Sequence, residues 1–277
     1  MSGPGRPAPH RSLVPAVAVL AGAGLLAVLA PVLIPPGAVD VVGVHGPSLA
    51  PPSLRYPLGT DEFGLSVLTL TLAGARLSVG VGFIAATLAV AVGALVGLTA
   101  GVLRGPAAAA LTWIMDWFLM LPQVPLAIAF VAVLSPGLRA LVLVIALTSW
   151  APVARVIRTA VLAAKAQPYL DRVRALGAGN WHITRVHLLP DVMPVIAVNW
   201  ALTLANAILA EAAFSYLGLG APAEISWGSM LRQASTSGAL SAGAWWYVLP
   251  PGLAVIIVVL AAGVCANAIS SAQTQQY

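Results

Sequence analysis

Six apolar stretches dominate the chain, at roughly 13–34, 77–103, 109–134, 137–157, 192–215 and 245–269. Each is close to or above the about 20 residues that a helix needs to cross the hydrocarbon core of a bilayer. Inside lipid every backbone N–H and C=O must find a partner within the structure, and a helix does this without help from neighbouring segments. The expected fold class is therefore an all-α membrane protein of about six transmembrane helices. Composition agrees: with 60% hydrophobic and 8% charged residues and a mean hydropathy of +0.97, the chain lies outside the range of soluble globular domains.

A net charge of +5 and a pI near 10.0 would suit a nucleic-acid partner in a soluble protein, but here they report orientation, and no nucleic-acid partner is expected. On a six-span reading Arg6, Arg11, Arg104, Arg155, Arg158, Lys165, Arg172, Arg174 and Arg185 fall on one side. Arg55, Arg76, Arg139 and Arg232 fall on the other. The richer side is the cytoplasm by the positive-inside rule. That puts a 1–12 tail and a 270–277 tail in the cytoplasm of a plasma (inner) membrane protein, with the 35–75 and 216–244 segments outside. The first apolar run exceeds the 7–15 residues of a signal-peptide core, which makes it an uncleaved first span. Cys265, the single cysteine, sits in the last apolar run, where a buried inert thiol is expected.

Residues 1–12 are rich in Pro, Gly and Arg and lack periodicity, so disorder is the default. Pro35, Pro36, Pro47, Pro51, Pro52 and Pro57, with Asp40 and His45, forbid a continuous helix over 35–60. Gly93, Gly97, Gly101 and Gly105 repeat every four positions in the second span. Such a column lets another helix approach closely, although a chain rich in Ala and Gly also generates the spacing by chance. Asp116 and Glu211 are acidic residues in apolar surroundings, where an ionised carboxylate is expensive. Both are read as lying near span ends and reaching the interface.

The usual catalytic constellations are missing. Lys165, the only lysine, is followed by Ala166, so the chain has no phosphate-binding loop of the G-x-x-x-x-G-K-[ST] type. It also lacks H-E-x-x-H, G-x-S-x-G and any cysteine pair. His10, His45, His182 and His187 are scattered, and the last two stand five apart, a poor helical ligand spacing. No catalytic residue and no metal site is expected.

One polar, cationic island, 159–190, interrupts the apolar runs and reads as a long cytoplasmic loop. Within it Tyr169, Val173 and Leu176 fall at i, i+4 and i+7 and would form an apolar helical face, with Asp171 and Arg174 pointing elsewhere. Gly177 would end that helix in a left-handed conformation. Trp181 offers a large apolar anchor. Two roles suit such a helix: docking into a partner, or lying on the lipid surface, where Arg172, Arg174 and Arg185 meet anionic headgroups.

Four patches resemble the permease subunits of dipeptide, oligopeptide and nickel ABC importers. They are Tyr56-Pro57-Leu58-Gly59-Thr60-Asp61-Glu62-Phe63-Gly64 with Gly74-Ala75-Arg76-Leu77-Ser78, the stretch from Tyr169 to Pro190, Ile208 to Gly220 with Ser226-Trp227-Gly228-Ser229-Met230-Leu231, and Trp245-Trp246 with Pro251-Gly252-Leu253-Ala254-Val255. They run in order from about residue 56 to residue 260. The resemblance implies a type I ABC importer permease fold, with a five-helix core over 76–269 after a first span at 13–34. It further implies a second homologous permease, two cytoplasmic ATPase subunits that hold the ATP and Mg, and an extracytoplasmic solute-binding protein. No cofactor is expected in this chain.

On the same resemblance the island carries a coupling helix that docks on an ATPase through Tyr169, Asp171, Val173, Arg174, Ala175, Leu176, Gly177, Trp181 and Pro190. The cargo implied is a di- or oligopeptide, with nickel as the alternative. Asn199 and Asn206, seven apart on one helical face, and Glu211 are candidate pathway residues. The chain departs from the family pattern at Arg172-Val173, where two alanines are usual, and at Leu65-Ser66, where Arg-Asp is usual. Outside this family, a proton-coupled secondary transporter would need repeated broken helices and embedded ionisable groups. An intramembrane enzyme would need Asp116 and Glu211 as an acid pair.

Overall fold

The computed structural model describes residues 9–35, 37–40, 46–134, 137–222 and 224–274; Arg6, His45 and most of the predicted tail segments lie outside these. Among the described residues the chain is helical, in the order α1 (Pro9–Leu33), α2 (Val67–Val102), α3 (Pro106–Leu119), α4 (Gln123–Leu134), α5 (Leu138–Lys165), α6 (Pro168–Ala175), α7 (Asn180–Ile183), α8 (Leu189–Tyr216), α9 (Trp227–Thr236) and α10 (Trp245–Thr274). Five helices are long and apolar enough to cross a membrane, and a sixth span results if α3 and α4 count as one.

The predicted 109–134 span is broken. α3 and α4 meet at 84°, with Met120–Leu121–Pro122 between them. Pro122 cannot continue the ladder of α3, and Pro125 removes one of the N–H groups that a helix start leaves unpaired. The external segment predicted over 35–75 ends sooner, because α2 begins at Val67. Ser66 is its N-cap and accepts from the Thr69 N–H at 3.5 Å. At about 1.5 Å per residue the 36-residue α2 is about 54 Å long, well beyond a bilayer core of about 30 Å. The predicted 216–244 segment holds α9, opened by a capping box between Ser226 and Ser229.

α2 and α5 form the closest helix pair. A Cβ on Gly93 would stand 2.8 Å from Val153 Cγ1, on Gly97 2.5 Å from the Ala154 carbonyl oxygen, and on Gly101 2.6 Å from Val161 Cγ1. The glycine column is thus a contact surface within this chain. Gly105 has no neighbour there and is instead the N-cap of α3.

The main core gathers Val67, Leu70, Val81 and Ala85 of α2, Leu141 and Ile145 of α5, Ile208 and Phe214 of α8, Trp227 and Met230 of α9, and Tyr247 and Val258 of α10. α1 packs along α2 and α10 and buries little of itself. The departure at Leu65-Ser66 has a structural use. Leu65 is buried in this core, its N–H donates to Asp61 Oδ1 at 2.7 Å, and Ser66 performs the capping.

Candidate functional site

The connection between α5 and α8 is more helical than the 159–190 loop read from the sequence. α5 continues to Lys165, whose Nζ donates to the carbonyls of Gly101 at 2.7 Å and Val102 at 2.9 Å. A cation on the last carbonyls of α2 is placed where the helix dipole favours it. Sequence reasoning used Lys165 to orient the chain and to exclude a phosphate-binding loop. Its position beside a helix end was not visible from residues 64 apart.

α6 starts with Pro168 at its first turn and is eight residues long. The residue that turns into the bundle is Leu170, between the predicted apolar positions Tyr169 and Val173. Leu170 is fully buried and Val173 partly, against Val153, Ile157 and Val161 of α5, Ile183 of α7 and Val192 of α8. The prediction assumed that the helix runs through Leu176, but Leu176 is the C-cap and stands 88% exposed. Tyr169 faces the polar edge and donates its hydroxyl to Asp191 Oδ2 at 2.8 Å, tying α6 to the start of α8.

The end of α6 is a Schellman motif. Ala178 N–H donates to Val173 O at 3.3 Å and Gly177 N–H to Arg174 O at 2.9 Å, with Gly177 at φ +89°. Asp171 and Arg174 pair with each other at 2.8 Å. Such an exposed i, i+3 pair is worth about 0–1 kcal/mol.

Trp181, on α7, is 75% exposed. A shallow groove of about 500 Å³ lies beside it, lined by Val173, Leu176, Gly177, Ala178, Gly179 and His182. Ala175 is exposed along the same rim.

A π-helical turn over Thr184–Leu188 joins α7 to α8, with Leu189 N–H reaching back to Thr184 O. Pro190 follows directly. Its ring conflicts with the carbonyl four residues earlier, and widening the preceding turn removes the conflict. The π spacing also makes residues five apart neighbours, and the His182 and His187 rings stand 5.9 Å apart. The arrangement is a rigid shelf, keyed into the bundle by Leu170 and Val173, that presents Leu176 and Trp181 outward. Exposed large apolar groups on a fixed support suit protein docking.

The candidate pathway residues do not converge. Asn199 Nδ2 donates to its own helix at Val195 O, 2.8 Å away. Asn206 lies on an exposed stripe of α8 with Leu202 and Leu209. Glu211, five residues on and so about 140° around the helix, is fully buried. Its reading as an interface-reaching residue is corrected: Ser215 Oγ donates to Oε1 at 2.7 Å, and Oε2 has no hydrogen-bond partner. Asp116 is likewise not alone, since Arg155 donates to its Oδ1 at 2.7 Å. Among the described residues no three His, Cys, Asp or Glu side chains are placed to hold a metal ion.

Comparison with known proteins fits this architecture. The chain is 38% identical to the di/tripeptide transport system permease protein DppC of Pseudomonas aeruginosa, over 77% of this chain and 72% of that protein. It is 36% identical to a putative peptide transport system permease protein of Brucella abortus, over 91% and 83%, and 31% identical to the probable D,D-dipeptide transport system permease protein DdpC of Escherichia coli, over 80% and 72%. Among solved structures it is similar to a chain of the MetNI methionine ABC transporter in an inward-facing conformation. The TM-score is 0.59 at 19% identity, over 72% of this chain and 96% of that one, which is a likeness of fold. The profile of the binding-protein-dependent transport system inner membrane components matches residues 89–275, and this chain belongs to that family.

Proposed function

We propose that the chain is the permease subunit through which an ATP-driven importer passes di- or oligopeptides delivered by an extracytoplasmic solute-binding protein. It pairs with a second homologous permease, and two cytoplasmic ATPase subunits hold the ATP and Mg. The observation that carries this reading is the shelf of α6 and α7, with Leu170 and Val173 locked into the bundle and Leu176 and Trp181 exposed beside a groove. Peptide is favoured over nickel by the relatives, which are named for di/tripeptide, dipeptide and peptide transport.

In this mechanism the ATPases move together on binding ATP and carry the shelf with them. The cluster around Leu170 joins α2, α5, α6 and α8, so a displacement of α6 reaches three spanning helices as one body. ATP and the loaded binding protein each favour the outward-open state by binding it better than the inward-open one. Both termini lie in the cytoplasm, on the side of α6. An even number of spans, with α3 and α4 counted as one, and the basic residues around α6 support that orientation.

The test is purification of the chain from its own membrane in mild detergent, with mass spectrometry of co-eluting proteins and peptide uptake into vesicles loaded with the complex. Recovery of a second permease and ATPases with ATP-dependent peptide uptake is expected. A chain that transports without ATPases would refute the reading, and uptake of nickel without peptide would replace the cargo.

A further inference from the structure

A trough runs over α2 at the end of the bundle where α1 stops and α5 starts, with a volume of about 850 Å³. Gly80 and Ile84 form its floor, Ile34 of the α1 end forms one wall and Leu143 of α5 the other. A Cβ on Gly80 would meet nothing within 4 Å, so the floor is open space. Most of this surface is hydrocarbon, and it lies between helices long and apolar enough to cross a membrane. Water is a poor filling for such a space, and an acyl chain is a good one.

The same trough carries three charged side chains, Arg76, Arg139 and Glu224. Neither arginine has an ion pair among the described residues. Arg139 is the second residue of α5, Glu224 lies in the segment before α9, and Arg76 stands one turn before Gly80 on α2, while Ile84 and Leu143 lie further along the helices. Two guanidiniums and one carboxylate leave a single positive charge, which matches the single negative charge of a phosphodiester. Guanidinium is the side-chain group best suited to grip phosphate oxygens through paired N–H donors. A peptide would lay its polar backbone along the apolar walls, whereas an acyl chain meets them with no polar group to desolvate.

We propose that this trough is a structural phospholipid site: an acyl chain lies over Gly80 and Ile84 between α1 and α5, and Arg76 and Arg139 hold the phosphodiester. The lipid fills the space between the peripheral α1 and the α2–α5 pair. The site does not depend on which cargo the transporter carries.

The experiment is lipid mass spectrometry on the assembled complex, purified in mild detergent and washed to constant lipid content. Arg76→Gln with Arg139→Gln removes the phosphate grip. Gly80→Leu fills the floor from a position whose first added carbon meets no protein atom, so it intrudes on the trough without touching either arginine and is a second, independent variant. The wild type is expected to retain about one phospholipid per copy of this chain, and each variant to retain roughly tenfold less. Equal retention in all three proteins, or none in the wild type, would overturn the proposal. So would a Gly80→Cys chain that cross-links to another subunit through residue 80, or thermal stabilisation by inorganic phosphate as strong as that by phosphatidylethanolamine vesicles.

Discussion

Adding one methyl group to α2 should have opposite effects at Gly97 and Gly80. At Gly97 the new carbon would stand 2.5 Å from the Ala154 carbonyl oxygen and 3.0 Å from Ile157 Cβ. Both obstacles are backbone or backbone-fixed atoms, so no rotamer change relieves them and α2 and α5 must part. Overpacking of this kind costs about 1–3 kcal/mol, and the helix regains about 0.5–1 kcal/mol from replacing a mid-helix glycine. Gly97→Ala is therefore destabilising by up to about 2.5 kcal/mol.

At Gly80 the same methyl meets nothing within 4 Å, and only the gain of about 0.5–1 kcal/mol remains. At about 2–4 °C per kcal/mol for chains near this size, Gly97→Ala should lower the midpoint by a few degrees and Gly80→Ala should raise it by about 1–4 °C. The assay is thermal unfolding of the detergent-solubilised chain followed by tryptophan fluorescence. Shifts of the same sign in both variants would refute the claim that the column from Gly93 to Gly101 marks a backbone-to-backbone contact.

Trp181→Ala should weaken ATPase association by about 30-fold or more, the loss expected when a buried aromatic anchor is removed from an interface. A pull-down titration with unchanged affinity would count against the shelf as the docking surface. Gly177→Val places a β-branched residue at φ +89°, at a local cost of about 1–2 kcal/mol. It should cut peptide uptake and transport-coupled ATP hydrolysis without reducing membrane insertion, and normal uptake would sink the coupling assignment. Ser215→Ala leaves the buried Glu211 carboxyl without its 2.7 Å donor and should destabilise by about 1–3 kcal/mol. The comparison is Ser235→Ala, whose hydroxyl only meets Tyr216 at an exposed 3.4 Å contact. A melting point shifted equally by both would show that the Glu211 hydrogen bond contributes nothing.

The number and approximate placement of the spans were legible because hydrophobic length is a property of single segments. Breaks and registers were not. Pro122 and Pro125 were visible, but the residues on either side are equally apolar, so hydropathy did not register the 84° bend. α9 was read as loop although Trp227, Met230 and Ala234 already showed helical spacing after Ser226, a signal that a ten-residue element barely lifts above its surroundings.

In the α5–α8 connection the sequence pointed to the left-handed Gly177 and the exposed Trp181, which are local properties. The inward-facing Leu170 carried no mark in the sequence, because it is chosen by what α5 and α8 present to it. The π turn left only Pro190 as a trace. Glu211 was misplaced for a related reason: its neighbour Ser215 could be counted along the chain, but its burial beneath α9 depends on a segment that sequence reading had left unfolded.

The break between α3 and α4 bears on what this part of the chain presents to its surroundings in the membrane. The two halves are about 21 Å and 18 Å long, so neither crosses a core of about 30 Å alone, and a span built from the pair carries its break inside the hydrocarbon. Backbone that leaves the helical ladder at that depth is tolerated only where protein or water covers it. Yet Met120, at the bend, is 79% exposed in the single chain. The amides at the bend turn back into α3, Met120 N–H to Trp117 O and Leu121 N–H to Phe118 O, so it is the apolar Met120 side chain, not open backbone, that the bend holds out to its surroundings.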